Sequence, residues 1–131
     1  MTTRTASCSC GQLTAAVTGD PIRVSICHCL ACQRRTGSAF GGQARFATDC
    51  VKVAGQSRVF VRVGDEGSRM SFHFCPTCGS TVFYTVEDRP GAVAIAVGAF
   101  ADPQFPAPTF SVYEERKHAW VTLPGGIEHM W

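Results

Sequence analysis

The chain has 131 residues, of which 45% are hydrophobic, and its 12 Lys and Arg nearly balance its 10 Asp and Glu, for a net charge of +2. This length is typical of one domain, and no Ser/Pro-rich linker or run of charge divides it, so we expect a single domain over residues 1–131. The near-balanced charge is unlike that of a general nucleic-acid binder, whose basic residues form a clustered face.

Neither the N-terminus nor the longest apolar stretch indicates secretion or membrane insertion. Residues 1–7 lack the apolar core of a secretion signal. The longest apolar stretch, residues 92–101, is about half as long as the roughly twenty residues of a membrane-spanning helix. We therefore expect a cytoplasmic protein with no membrane contact. In such a reducing compartment, clustered cysteines more often bind metal or act in catalysis than form disulfides.

Short β-rich runs between turn signals predict an all-β fold. Apolar alternation is clearest at 59–63, whereas the run at 92–97 is apolar on both faces, which predicts a central strand. At most one short helical turn is expected, after Cys29, from Ala31 to Arg35, and residues 36–38 end it. The predicted strands are Leu13 to Val17, Ala39 to Phe46, Cys50 to Val53, Arg58 to Val63, Met70 to Phe74, Thr81 to Val86, Ala92 to Val97, Thr109 to Tyr113 and Trp120 to Leu123.

Seven of the eight cysteines fall into three tight clusters, and two of these clusters have the spacing of zinc-binding turns. Cys75-x-x-Cys78 lets both sulfurs meet one ion, and Cys8-x-Cys10 is a tighter version of the same turn. A glycine follows each pair and can take the positive φ of the turn. We therefore predict a structural zinc on these four cysteines, which would clamp the N-terminal strand against the middle of the fold.

The third cluster, Cys27-x-Cys29-x-x-Cys32, supplies three thiolates and has no obvious fourth ligand nearby in sequence. Three protein ligands leave one zinc position for water or substrate, which is the arrangement of a catalytic site. Three thiolates make zinc a weaker Lewis acid than three neutral histidines would, so the site suits a bound thiolate better than hydroxide generation.

Other interpretations of these residues stay open at this point. Cys50 could close the second site and make it purely structural, although a lone cysteine at the start of a β run is more often a buried small hydrophobe. His28 could coordinate as well, but we expect its side chain to point away from the ion, and we expect His73 to be an ordinary strand residue. A disulfide framework is disfavoured by the missing secretion signal, and an iron–sulfur cluster by the absence of ferredoxin spacings.

Further motifs accompany the cysteines: Thr36-Gly37-Ser38, Phe74-Cys75-Pro76-x-Cys78-Gly79-Ser80, Gly98-Ala99-Phe100-Ala101-Asp102-Pro103 and a later Trp120. Together with the clusters, they resemble the glutathione-dependent formaldehyde-activating enzyme (GFA) family, which includes centromere protein V. The resemblance runs from Cys8 to about Trp120. It implies a β-tent fold of antiparallel sheets with two zinc ions. The structural ligands would be Cys8, Cys10, Cys75 and Cys78, and the catalytic ligands Cys27, Cys29 and Cys32.

The family's named reaction joins glutathione and formaldehyde into S-hydroxymethylglutathione, and its reverse is classed as a carbon–sulfur lyase reaction. A thiol at the vacant zinc position ionises readily and can attack a carbonyl carbon. The carboxylates of glutathione would need cations, which Arg34 and Arg35 could supply unless they are only a solvated pair. Gly37 and Ser38 could bring backbone N–H groups to the substrate, or they could only end the helical turn.

Two alternatives to an enzyme follow from the same cysteines. The chain could be a non-catalytic zinc module that binds a protein or nucleic acid, or a thiol-based metal buffer. We expect no nucleic-acid partner, because Arg58, Arg62 and Arg69 are too dispersed to form a basic patch and are interpreted as solvated strand positions. The leading hypothesis is therefore a zinc-dependent carbon–sulfur enzyme acting on a small thiol and a small aldehyde, and the sequence indicates no oligomeric state.

Overall fold

The structure is a computed structural model and describes residues 1–130. Within that range the chain is mostly β, with two sheets and one short α-helix. The elements are β1 (Thr3–Ser7), β2 (Thr14–Thr18), β3 (Arg23–Cys27), α1 (Leu30–Thr36), β4 (Gly41–Ala47), β5 (Val51–Ala54), β6 (Arg58–Val63), β7 (Arg69–Phe74), β8 (Thr81–Val86), β9 (Ala92–Ala96), β10 (Phe110–Val112) and β11 (Glu128–Met130), with 3₁₀ turns at Thr48–Cys50, Val97–Phe100 and Glu114–Arg116.

The smaller sheet is antiparallel, with β2 between β1 and β5. Ala15 and Val17 of β2 point into the core and are fully buried, as is Ala6 of β1. β1 was not among the predicted strands because its sequence, Thr-Arg-Thr-Ala-Ser, contains a single apolar residue. Its strand conformation therefore depends on pairing with β2, where Ala6 lies opposite Ala15.

The larger sheet has the strand order β11-β10-β3-β4-β9-β8-β7-β6. β9 lies between β4 and β8, and its Val93, Ala94 and Ile95 are all buried, which confirms the predicted central strand. The main core lies between the two sheets. Its members include Phe46 of β4 in the larger sheet and Ala15 and Val17 of β2 in the smaller one, so each sheet contributes to it.

One end of the larger sheet departs from the predicted antiparallel arrangement. β10 runs parallel to both β3 and β11. Parallel neighbours need a connection much longer than a hairpin, and the segment between β10 and β11, residues 113–127, supplies one. β3 was not predicted either, because the polar residue Ser25 lies at its centre. Ser25 is nevertheless buried, and its hydroxyl accepts a hydrogen bond from Gln43 Nε2 at 2.8 Å.

The strand predicted at Trp120 to Leu123 is wrong. The side chain of Trp120 is 72% exposed, and the segment forms a turn in which Val121 N–H donates to the His118 carbonyl at 3.0 Å. Only Val121 of this apolar run is buried, so the run anchors the tail by one residue rather than pairing with the sheet. The remaining predicted strands lie within about two residues of the observed bounds.

The helical turn predicted after Cys29 is confirmed as α1, which has seven residues. The Cys29 sulfur accepts from the backbone N–H of Cys32 at 3.3 Å and caps the N-terminus of the helix. Gly37 ends it with a φ of +69°, a conformation that favours glycine. Within residues 1–130, no helix is long and apolar enough to cross a membrane.

Candidate metal centres

The first cysteine cluster forms where the β1–β2 turn meets the β7–β8 turn. The sulfurs of Cys8, Cys10, Cys75 and Cys78 all lie within 4.8 Å of one another. Cys10 Sγ is 3.6 Å from both Cys8 Sγ and Cys75 Sγ. Four sulfurs on a tetrahedral zinc would lie about 3.8 Å apart. The cluster therefore has the donor type and the spacing that a zinc ion requires.

Backbone and side-chain donors surround the sulfurs of this first cluster. Cys75 Sγ accepts from Gln12 Nε2 at 2.9 Å and from the backbone N–H of Thr77 at 3.4 Å, and Cys8 Sγ accepts from Leu13 N–H at 3.3 Å. Hydrogen bonds from the backbone N–H and the hydroxyl of Ser80 lower the pKa of the Cys78 thiol to about 5. Because these donors favour thiolates, they favour the form of cysteine that binds metal.

The second cluster forms where β3 ends and α1 begins. The sulfurs of Cys27, Cys29 and Cys32 lie within 4.8 Å of one another, with Cys27 and Cys32 buried and Cys29 half-buried. Among residues 1–130, neither Cys50 nor a histidine joins this group. The three sulfurs are suited to hold a metal ion through three ligands.

Two histidines that were open alternatives as ligands have other partners. His28 is fully buried, and its Nε2 lies 3.0 Å from the Ser111 hydroxyl, so its imidazole points away from the three sulfurs as expected. Burial lowers the pKa of His28, which keeps the ring neutral. His73 lies in β7, stacked on Phe83 with ring centroids 4.3 Å apart and with Nδ1 3.0 Å from the Ser57 hydroxyl. Its interpretation as an ordinary strand residue is confirmed.

The sulfurs of the second cluster stabilise one thiolate among them. Hydrogen bonds from the Cys27 and Cys32 thiols lower the pKa of Cys29, and the backbone N–H of Cys32 and the Arg62 guanidinium lower it further. Hydrogen bonds from the Cys27 thiol to Cys29 and Cys32, together with burial, raise the pKa of Cys27. Cys29 is therefore the preferred site of negative charge in the metal-free cluster.

The interpretation of Arg62 as a solvated strand residue is wrong. Its side chain is half-buried, donates to Met70 Sδ at 3.4 Å, and lies over the Phe72 ring at 5.4 Å from the centroid. The apolar alternation at 59–63 contained a usable signal, since it puts Arg62 on the same face as Phe60. What the sequence did not indicate is that this face borders Cys29.

A cavity of about 520 Å³ lies beside the second cluster, between α1 and strands β6 and β7. Both apolar and cationic side chains line it: Leu30, Ala31, Arg34, Arg35, Phe60, Arg62 and Phe72. Within residues 1–130, none of its three arginines has a carboxylate within 4.0 Å. A site of this kind is suited to an anion that also carries apolar groups.

Arg35 also lines a second cavity, of about 730 Å³, which extends from α1 to the first cluster. The Arg35 guanidinium lies over the rings of Phe72 and Tyr84, at 4.8 Å and 5.6 Å from the centroids. The two cavities therefore meet at Arg35. Cation–π contacts with Phe72 and Tyr84 hold its guanidinium group at this boundary.

Gly37 and Ser38 lie at the C-terminal end of helix α1. The N–H of Gly37 donates to the Gln33 carbonyl at 2.8 Å, and the N–H of Ser38 donates to the Thr36 hydroxyl at 3.1 Å. Both backbone donors are thus already paired, which favours the second of the two roles considered for these residues, that of ending the turn.

The fold and the site define a small, mostly β protein with two cysteine clusters that could each hold a metal ion. A sequence model of the family described as "glutathione-dependent formaldehyde-activating enzyme" matches residues 3–116, so the chain belongs to this family. The crystal structure of a Rhodobacter sphaeroides protein has a similar fold, with a TM-score of 0.58 and 19% identity over 76% of this chain and 92% of that one. No curated protein matches the chain in sequence.

Proposed function

We propose that the chain is a zinc-dependent carbon–sulfur enzyme, a single GFA-like domain of β-tent architecture that works in the cytoplasm. Two zinc ions per chain would be held, a structural ion by Cys8, Cys10, Cys75 and Cys78, and a catalytic ion by Cys27, Cys29 and Cys32. The substrate would be a small thiol with a small aldehyde, or their adduct, of the S-hydroxymethylglutathione type. Membership of the GFA family supports the reaction type.

One observation carries the proposal: among residues 1–130, three cysteine sulfurs come together with no fourth protein ligand. Zinc at such a site would offer a vacant position to the substrate thiol and lower its pKa. A fourth protein ligand would have made the site purely structural, as at the first cluster.

The side chains around the second cluster would position the substrate. Arg34 and Arg35 present guanidinium groups to the cavity, and each could bind a carboxylate with two parallel hydrogen bonds. Phe60 and Phe72 cover apolar parts of the substrate and reduce contact with water. Arg62, beside Cys29, offsets the negative charge of the thiolate cluster where an anionic substrate approaches.

The reaction needs no oxidant or reductant. In the forward direction, the thiol sulfur forms a bond to the carbonyl carbon, the carbonyl π electrons move to oxygen, and the thiol proton ends on that oxygen. In reverse, the carbon–sulfur bond breaks and the hydroxyl proton returns to sulfur. Catalysis would therefore consist of holding the thiol ionised and aligned with the aldehyde.

The test is NMR exchange spectroscopy on glutathione, formaldehyde and their adduct, with zinc content measured on the same sample. We expect two zinc ions per chain and accelerated exchange, and loss of the acceleration in Cys29→Ser. Cys50→Ser is the matched control, because Cys50 belongs to neither cluster. A folded protein with two zinc ions that accelerates exchange of no small thiol would contradict the proposal.

A further inference from the structure

The outermost strand of the larger sheet, β6, has an open edge. Within residues 1–130 it pairs with β7 and with no other strand. Its four apolar side chains, Val59, Phe60, Val61 and Val63, are between 45% and 59% exposed. The strand is six residues long and contains neither proline nor lysine, two residues that commonly protect such edges. An open edge of this length and apolarity is suited to pairing with another strand.

We propose that β6 pairs in antiparallel orientation with β6 of a second copy of this chain, about a two-fold axis through Val61. Such an axis stands perpendicular to the sheet, so each face of one copy continues into the same face of the other. Side chains directly opposite each other must share a face, and a residue on the axis therefore lies opposite itself. The proposal concerns assembly and does not depend on the proposed reaction.

The charges on β6 select Val61 rather than a neighbour as the centre. An axis through Phe60 would place Arg58 opposite Arg62 of the second copy, and an axis through Arg62 would place the two Arg62 side chains opposite each other. Like charges directly opposite each other destabilise a strand pair. An axis through Val61 instead places each Phe60 opposite Arg62 of the other copy, a favourable cation–π arrangement that occurs twice.

The opposite face and the end of the strand agree with this register. Val61 lies opposite its own copy, and Val59 lies opposite Val63 of the second copy, so exposed valines cover one another. Beyond the strand, the acidic turn at Asp65 and Glu66 comes beside Arg58 of the second copy. In the part of the chain that the structure describes, Arg58 has no carboxylate within 4.0 Å, so the pairing would give it one.

The proposed pairing also affects the cavity at the second cluster. Phe60 and Arg62 line that cavity and lie at its β6 side. Phe60 of the second copy would therefore lie against Arg62 along the open side of the cavity. The pair of copies would enclose this cavity more completely than one copy does.

The test is analytical ultracentrifugation of the zinc-loaded full chain over a range of concentrations. We expect a concentration-dependent species of twice the mass of one chain. Val61→Lys, which places two ammonium groups against each other on the axis, should leave only monomer. Ile22→Lys is the matched control, since Ile22 is 66% exposed and lies away from β6, and it should dimerise as the wild type does.

Charge reversal tests the register independently of Val61. Arg58→Asp and Asp65→Arg should each weaken the dimer several-fold, and the double variant should restore it, because the two charges are exchanged. A monomer at every concentration would overturn the proposal and leave the edge to a strand of a different protein. A dimer that Val61→Lys leaves intact, or that both single reversals leave unchanged, would overturn it as well.

Discussion

Gly41 lets Arg35 pass directly over the start of β4. A Cβ at position 41 would lie 3.2 Å from a guanidinium nitrogen of Arg35 and 3.3 Å from Cβ of Cys32. Because Gly41 has no side chain, the Arg35 guanidinium beside the cavity and Cys32 of the second cluster can both pack against this point of β4.

Gly41→Ala is therefore expected to displace Arg35 and Cys32 away from position 41 by a few tenths of an ångström. Overpacking of this kind costs about 1–3 kcal/mol of unfolding free energy. It should also slow glutathione–formaldehyde exchange, as NMR would show. Gly42→Ala is the control, because its Cβ would meet Val97 at an ordinary 3.6 Å. Equal stability and exchange in the two variants would count against this role of Gly41.

Loss of one cysteine should affect the two clusters differently. Cys10→Ala removes a sulfur that meets Cys75, 65 residues away, at the proposed structural zinc site, so the variant should lose zinc and several kcal/mol of stability. Cys29→Ser changes a cluster that lies within one short segment, so that protein should keep its first zinc and its fold. Zinc content and thermal unfolding of both variants check this. A Cys10→Ala protein as stable as the wild type would show that the first cluster is not structural.

The arginines at the cavity predict a preference for anionic thiols. Arg35→Met should raise KM for glutathione about tenfold or more, since a charge-assisted hydrogen bond is lost. KM for cysteamine, a thiol without carboxylates, should change little. Arg89→Met, at an exposed turn position, is the control. Equal changes in KM for the two thiols would indicate that Arg35 acts through packing alone.

Burial raises the pKa of Tyr84 to about 12, which predicts an effect of alkaline pH on stability. A phenol with a raised folded-state pKa contributes stability that is complete below pH 10 and is lost as pH rises toward 12. Two pKa units correspond to about 2–3 kcal/mol, which the wild type should lose over this interval and Tyr84→Phe should not.

Denaturant unfolding of the wild type and Tyr84→Phe between pH 9 and about 12 measures this difference. Tyr113→Phe is the control, because the Tyr113 side chain is 44% exposed and should contribute much less. If stability falls equally steeply in Tyr84→Phe and the wild type, the buried phenol is not responsible.

The cysteine clusters could be predicted because they depend largely on spacing within short segments. Cys27, Cys29 and Cys32 lie within one turn and the start of a helix, so local geometry alone brings their sulfurs together. The Cys75–Cys78 turn is local in the same sense. The meeting of this turn with Cys8 and Cys10 was inferred from the number of sulfurs, and the structure places them together.

The parts that were missed depend on contacts between segments distant in sequence. Arg62 has the sequence context of an exposed strand residue, and it becomes part of the site only because β6 and β7 fold beside α1. Ser111 is fully buried because β10 crosses to run parallel to β3. Trp120 has strong β propensity but no strand to pair with. Residue propensity and hydrophobic periodicity describe one segment at a time and do not report contacts between segments that are distant in sequence.

The separation of Cys10 from Cys75 has a consequence for the order in which the two clusters would acquire metal ions. The ligands of the second cluster emerge from the ribosome almost together, so an ion can bind there while most of the chain is still being made. The first cluster must wait until Cys78 has been synthesised. If both clusters bind zinc as proposed, we expect the nascent chain to load the second cluster before the first, and the N-terminal strand to remain unattached in between.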